Sequence, residues 1–124
     1  MTVTKDCPFC SLGEGVFQNG TAVAICDASP VTPGHMLLIP RRHVADWFET
    51  TAAERCGLLA LADEARAWLI REYSPDGFNL GVNVGEAAGQ TVFHVHLHLI
   101  PRYRGDVSNP RGGVRGVIPA RQNY

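Results

Sequence analysis

Residues Phe93-His94-Val95-His96-Leu97-His98-Leu99-Ile100 alternate imidazole with apolar side chains, and no other stretch restricts the fold of this chain as tightly. Side chains on an extended strand repeat every second residue, so the alternation predicts a half-buried β-strand. The three imidazoles then share one face, with neighbours roughly 6.7 Å apart, while Phe93, Val95, Leu97 and Leu99 turn to the other. This row holds three of the chain's five histidines. Imidazole ordinarily titrates near neutrality, so the row suggests either a metal site or a phosphate site with a nucleophilic imidazole.

A strand with one apolar face needs partners to cover it, and the rest of the chain supplies them. Residues 15–18 and 21–26 flank Asn19-Gly20, which predicts a two-residue hairpin. Pro30, Pro33 and Gly34 make a loop before a third strand at 35–39. Thr51-Ala52-Ala53-Glu54 has the form of a capping box. It predicts a helix to about Tyr73 with Leu58, Leu61, Ala65, Trp68 and Leu69 along its buried side. Ser74-Pro75-Asp76-Gly77 ends that helix, 78–83 is extended again, and Gly85 to Gly89 is a loop leading into the histidine strand. A chain of 124 residues is one domain. The order of three strands, a helix and two strands predicts an α+β fold, with an antiparallel sheet packed on one face by the helix.

Eleven Lys and Arg stand against twelve Asp and Glu, so no whole-molecule field recruits nucleic acid or a membrane. After Pro101 the balance shifts, with Arg102, Arg104, Arg111, Arg115 and Arg121 against Asp106 alone. That tail suits an anionic ligand or a solvated terminus. The first six residues contain no apolar signal region and no run is long enough to span a bilayer, so a cytoplasmic location is expected. There, cysteines serve as metal ligands or buried thiols more often than as disulfides. Cys7-Pro8-Phe9-Cys10 fits a dithiol or half of a zinc site. Two thiolates need two further ligands for a tetrahedral structural zinc, and His43 and His94 are the candidates. His96 and His98 then remain for chemistry, with His35 as a supporting group.

His94-Val95-His96-Leu97-His98-Leu99-Ile100 resembles the histidine-triad motif of nucleotide hydrolases and transferases. Gly89-Gln90-Thr91-Val92-Phe93 is similar to the stretch that precedes that motif, and Asp27 to Pro40 looks like the family's strand–loop–strand segment. The Cys7, Cys10, His43 and His94 set resembles the zinc site of its bacterial zinc-binding members. The resemblance implies a five-stranded antiparallel sheet with one long and one short helix over residues 1–105, followed by a tail, 106–124, that shapes the leaving-group site or a dimer contact. It implies cleavage at the α-phosphorus of a nucleoside polyphosphate or phosphoramidate through a nucleotidyl-His96 intermediate. His98 would donate to the phosphate, and His35 would hold the imidazole network. Thr91, with the amides of Gly89, Gln90 and Val92, would cradle the phosphate. Asn83 would approach the phosphate or leaving group. Asp27 would bind the ribose hydroxyls, with Ile25 or Phe17 against the base, a purine. A structural Zn2+, no magnesium at phosphorus and a homodimer are implied as well. Histidine rather than glutamine at 98 favours hydrolysis over transfer. The tail arginines favour dinucleoside polyphosphates, with phosphoramidates or a nucleotide-binding regulatory role as alternatives.

Overall fold

Thr51 starts the long helix as the capping box requires. Its hydroxyl accepts from the Glu54 amide at 3.0 Å, and the Glu54 carboxylate accepts from the Thr51 amide at 2.8 Å. The helix, α1, spans Ala52–Tyr73, and Ser74 closes it in the left-handed conformation ahead of Pro75, which cannot continue it. These features belong to a computed structural model that describes residues 6–124; Met1 to Lys5, and with them most of the segment read for a signal, lie outside the described residues. No described helix is long and apolar enough to cross a membrane.

Five strands, β1 (Phe17–Gln18), β2 (Ala22–Cys26), β3 (Met36–Pro40), β4 (Gly77–Val82) and β5 (Leu97–Arg102), form one antiparallel sheet in the order β1-β2-β3-β5-β4. The short helix is a single 3₁₀ turn at Trp47–Glu49 that leads into α1. One sheet face, built from Ala22, Ala24, Met36, Leu38, Leu97 and Leu99, packs against Leu58, Leu61, Ala65 and Leu69 of the helix, with Trp68 and Phe17 at the margin. On the opposite face Val23, Leu37 and Ile39 are covered by Phe9 and Leu12 from the N-terminal loop, beside Ile25. β3 is buried along its whole length because both its faces are covered.

Two expectations change. The histidine strand joins the sheet only at Leu97: the Val95 amide donates to the Val44 carbonyl instead of to a neighbouring strand. Phe93 is 48% exposed and does not join the buried row of Val95, Leu97 and Leu99. The two-residue hairpin is also replaced by a longer turn, since Gln18 pairs with Val23. Asn19 causes this. Its side-chain oxygen accepts from the amides of Thr21 and Ala22, and its amide group donates to the Gly57 carbonyl on α1 at 2.9 Å. Gly57 permits that approach, for a Cβ there would lie 2.0 Å from the Thr21 hydroxyl.

Leu58→Ala should lower the unfolding free energy by about 2–5 kcal/mol, the usual cost of an aliphatic truncation in a closed core, read from urea unfolding. Glu54 gives a pH signature. The hydrogen bonds from Arg42, foremost among the causes, hold its carboxyl below the ordinary 4.5. The stabilisation is therefore complete above that value and disappears as pH falls through the lower folded value. Glu54→Gln should flatten this acid limb of the urea midpoint against pH.

Candidate functional site

On the outer sheet face His98 of β5 and His96 just before it are half-buried, and the hydrogen bonds around them assign the protons. A backbone amide can only donate and a carbonyl only accept. The Val31 amide donates to His35 Nδ1 at 3.0 Å, so the neutral His35 ring carries its proton on Nε2. That proton points to His98 Nδ1 at 2.9 Å, which leaves His98 with its own proton on Nε2. His96 has the opposite arrangement: its Nδ1 donates to the His94 carbonyl at 2.9 Å, so its Nε2 carries a lone pair. The rings of His96 and His98 are 5.2 Å apart. A nucleophilic nitrogen and an N–H donor therefore stand side by side.

Burial pushes the pKa of His35 down, and the same cause, aided by His96 and His35, lowers that of His98; Asp27 opposes both shifts. The neutral forms that the hydrogen-bond chain requires are thus the favoured ones. Asp27 Oδ2 lies 3.4 Å from His35 Nε2, while its Oδ1 accepts from the Ser29 amide at 2.8 Å and shapes the loop after β2.

The other residues singled out from the sequence divide into groups. Asn83, His35 and His98 line a cavity of about 490 Å3 whose remaining walls include Val31, Ile100, Val114 and Val117. Ile25 packs on the outer sheet face, whereas Phe17 sits on the helix side with its ring 5.6 Å from Trp68. Gln90 is buried and held by three backbone groups: Oε1 accepts from Gly85, and Nε2 donates to the carbonyls of Ala45 and Val92. It holds the loop in shape. Gly89, at φ 91°, makes the left-handed turn that closes the 3₁₀ segment Glu86–Ala88. Thr91 and Val92 border a shallow cavity beside Cys7 and His43 rather than the His98 cavity.

The four proposed metal ligands come together. Cys7 Sγ is 3.4 Å from His94 Nδ1, Cys10 Sγ is 3.2 Å from His43 Nδ1 and 3.6 Å from His94 Nδ1, and the two Nδ1 atoms are 3.2 Å apart. Tetrahedral zinc with ordinary Zn–N and Zn–S bonds requires donor separations of about 3.3–3.8 Å. His94 supplies an independent check. Its ring is fully buried and its Nε2 donates to the Pro40 carbonyl at 2.7 Å, which leaves Nδ1 as a lone pair aimed at the other donors. A metal-bound imidazole needs such a carbonyl on its other nitrogen, which fixes the tautomer and the ring's orientation. Burial pushes the Cys7 thiol up, so a metal taking its thiolate must displace a proton. The donor set fits zinc.

One contributor was not singled out from the sequence. Phe9, between the cysteines, packs its ring 5.2 Å from His96; its place inside the cysteine pair was the available signal. The turn Gly113–Val117, part of the tail expected to shape the leaving-group site or a dimer contact, lines the His98 cavity.

Comparison with known proteins decides the family, because the HIT domain matches residues 13–105. The chain belongs to the histidine-triad (HIT) family. That family includes nucleotide-binding proteins and nucleotide hydrolases. The chain is 39% identical to the protein hit of Bacillus subtilis, over 86% of this chain and 78% of that one. It is 35% identical to an adenylylsulfatase of Arabidopsis thaliana over 85% of this chain, but spans only 56% of that longer protein. Among solved structures, a zinc-bound histidine triad family protein from Mycobacterium smegmatis superposes with a TM-score of 0.75 at 32% identity, covering 84% of this chain and 80% of that one. Cys7 and Cys10 lie ahead of the residues matched by the HIT domain.

Elemental analysis should find about one zinc per chain, four donors closing one tetrahedral site. Cys10→Ser should lose most of it and lower Tm by several degrees, since metal binding is linked to folding.

Proposed function

We propose that this protein hydrolyses nucleotides at the α-phosphorus, with His96 as nucleophile and His98 as the donor that meets the phosphate. The complementary tautomers of the two adjacent rings carry this reading. In the first step the His96 Nε2 lone pair forms a bond to phosphorus as the bond to the leaving group breaks. The leaving group departs with that electron pair and is protonated from water. In the second step water attacks phosphorus, the P–N bond breaks, and a nucleoside monophosphate is released with His96 restored. His98 Nε2–H donates to the oxygens that gain charge, and His35 holds His98 in the tautomer that can do so. Asp27 has Oδ2 available to the ribose hydroxyls, and Ile25 offers an apolar contact for a purine base. Asn83 faces the leaving group. Thr91 and the amides of Gly89 to Val92 are assigned to the phosphate on the family's pattern, from the side of the neighbouring cavity that Thr91 and Val92 border. Zinc at Cys7, Cys10, His43 and His94 has a structural role, away from phosphorus, and the functional unit is a homodimer in the cytoplasm with 106–124 as its tail.

The leaving group is the point where two readings compete. The case for a dinucleoside polyphosphate rests on the tail arginines. Arg102 makes a two-point ion pair with Asp106 and also donates to Asn79. Arg104 is 3.9 Å from Asp76. Arg111 and Arg115 lie over the Tyr124 ring at 4.7 and 5.0 Å, and Arg115 donates to the carbonyls of Arg121 and Gln122. The cavity at His98 has no Lys or Arg in its lining. That observation favours an uncharged leaving group, as in a nucleoside phosphoramidate, over a polyphosphate.

Turnover of diadenosine tetraphosphate and adenosine phosphoramidate should be measured side by side with His96→Ala. The phosphoramidate is expected to have the larger kcat/KM, and His96→Ala to lose roughly a thousand-fold or more, as removal of a nucleophile does. AMP binding without His96-dependent turnover of either compound would instead favour a nucleotide-binding regulator.

A further inference from the structure

Besides its neighbour His98, the His96 ring has two contacts that originate in the Cys7/Cys10/His43/His94 cluster. Its Nδ1–H is fixed by the backbone carbonyl of His94, a proposed zinc ligand. Its ring also packs edge-to-face with Phe9, at 5.2 Å and an interplanar angle of 65°, and Phe9 sits between the proposed ligands Cys7 and Cys10. The same phenyl ring also meets His94 edge-on at 6.2 Å. Cys7 and Cys10 belong to a loop outside the sheet, because the first strand begins only at Phe17. Within the loop one backbone hydrogen bond, Cys10 to the Cys7 carbonyl at 3.3 Å, closes the turn. A cation held by all four donors would tie this loop to a segment more than eighty residues away.

We propose that Phe9 is a positioning residue for His96, and that the Cys7/Cys10/His43/His94 cluster is the clamp that sets it. The proposal rests on His96 being the nucleophile only for its effect on rate; the effect on the ring itself is independent of that role. With zinc bound, Phe9 blocks one side of the imidazole while the His94 carbonyl fixes its tautomer, so the Nε2 lone pair keeps one direction. Without zinc, the loop loses its anchor, Phe9 withdraws, and His96 gains rotational freedom. Zinc then governs turnover without touching phosphorus. Small losses of nucleophile alignment are enough to slow chemistry by one or two orders of magnitude.

Phe9→Leu keeps an apolar side chain against Val23, Leu37 and Ile39 and removes the aromatic face. The first readout is long-range nitrogen–proton NMR of the histidine rings at one alkaline pH, with metal content measured on the same samples. Zinc-loaded wild type should show a single Nδ1–H form of His96. Zinc-loaded Phe9→Leu, and wild type after chelation, should show exchange-broadened or mixed tautomer signals, and re-addition of zinc should restore only the wild type. The second readout is kinetic: zinc-loaded Phe9→Leu should lose about ten-fold in kcat, with a smaller change in KM. An unchanged His96 spectrum and unchanged kcat in zinc-loaded Phe9→Leu would overturn the proposal, even if the metal-free protein failed to fold. A His96→Ala control that retained turnover would overturn the nucleophile assignment alone, since the NMR measurement needs no substrate.

Discussion

His94 is the residue on which the rest of the site depends. An imidazole with no solvent contact must have both nitrogens satisfied, because an unpaired polar atom in that environment costs about 1–3 kcal/mol. One nitrogen is satisfied by the Pro40 carbonyl at the end of the central strand, the other by the thiols and His43. Its backbone carbonyl then orients His96. A single residue thereby joins the end of β3, the N-terminal loop and the segment that carries His96 and His98. Position 94 accordingly demands an imidazole with a fixed tautomer, and substituting it would disturb three parts of the fold at once.

The local features of the fold were legible because they rest on short-range rules. The capping box, the left-handed stop at Ser74 and the stripe from Leu58 to Leu69 all involve neighbours along one helix. The metal quartet was legible from ligand chemistry, although its members are far apart in sequence. Alternation misled where long-range demands overrode the period of two. Residues 93–96 keep the alternation in sequence, yet the backbone bends at Phe93 and His94 and the Val95 amide pairs with Val44, so the ladder starts at Leu97. The hairpin changed for a similar reason: Asn19 uses its side chain to tie the turn to α1, a contact that no dipeptide rule contains.

The site residues divide by the same logic. His35 and His98 meet because β3 and β5 are neighbours in register, with Leu37 opposite His98. Gln90 is buried, and three backbone groups hold its amide in the loop ahead of the histidine row. Four of the five tail arginines meet acids, an aromatic ring or carbonyl oxygens, and none of the five lines the His98 cavity.

Charge and tautomer together limit how such a site can meet an anion. The chain carries a formal charge of only −1, the cavity at His98 has no Lys or Arg in its lining, and burial keeps His35 and His98 toward their neutral forms. Long-range attraction therefore contributes little, and a phosphate must be recognised by directed N–H donors at contact distance. The neutral state has a second consequence. An imidazolium at position 96 would have no lone pair to offer, whereas a neutral ring with its proton committed to the His94 carbonyl retains one on Nε2. The hydrogen-bond chain from Val31 through His35 to His98 does the complementary task, delivering a proton to the neighbouring Nε2 without adding charge. Donation from Val31 to His35 and from His35 to His98 occupies the lone pair of each ring and so opposes a second proton on either, which lets His98 offer its Nε2–H to an anion while it stays neutral.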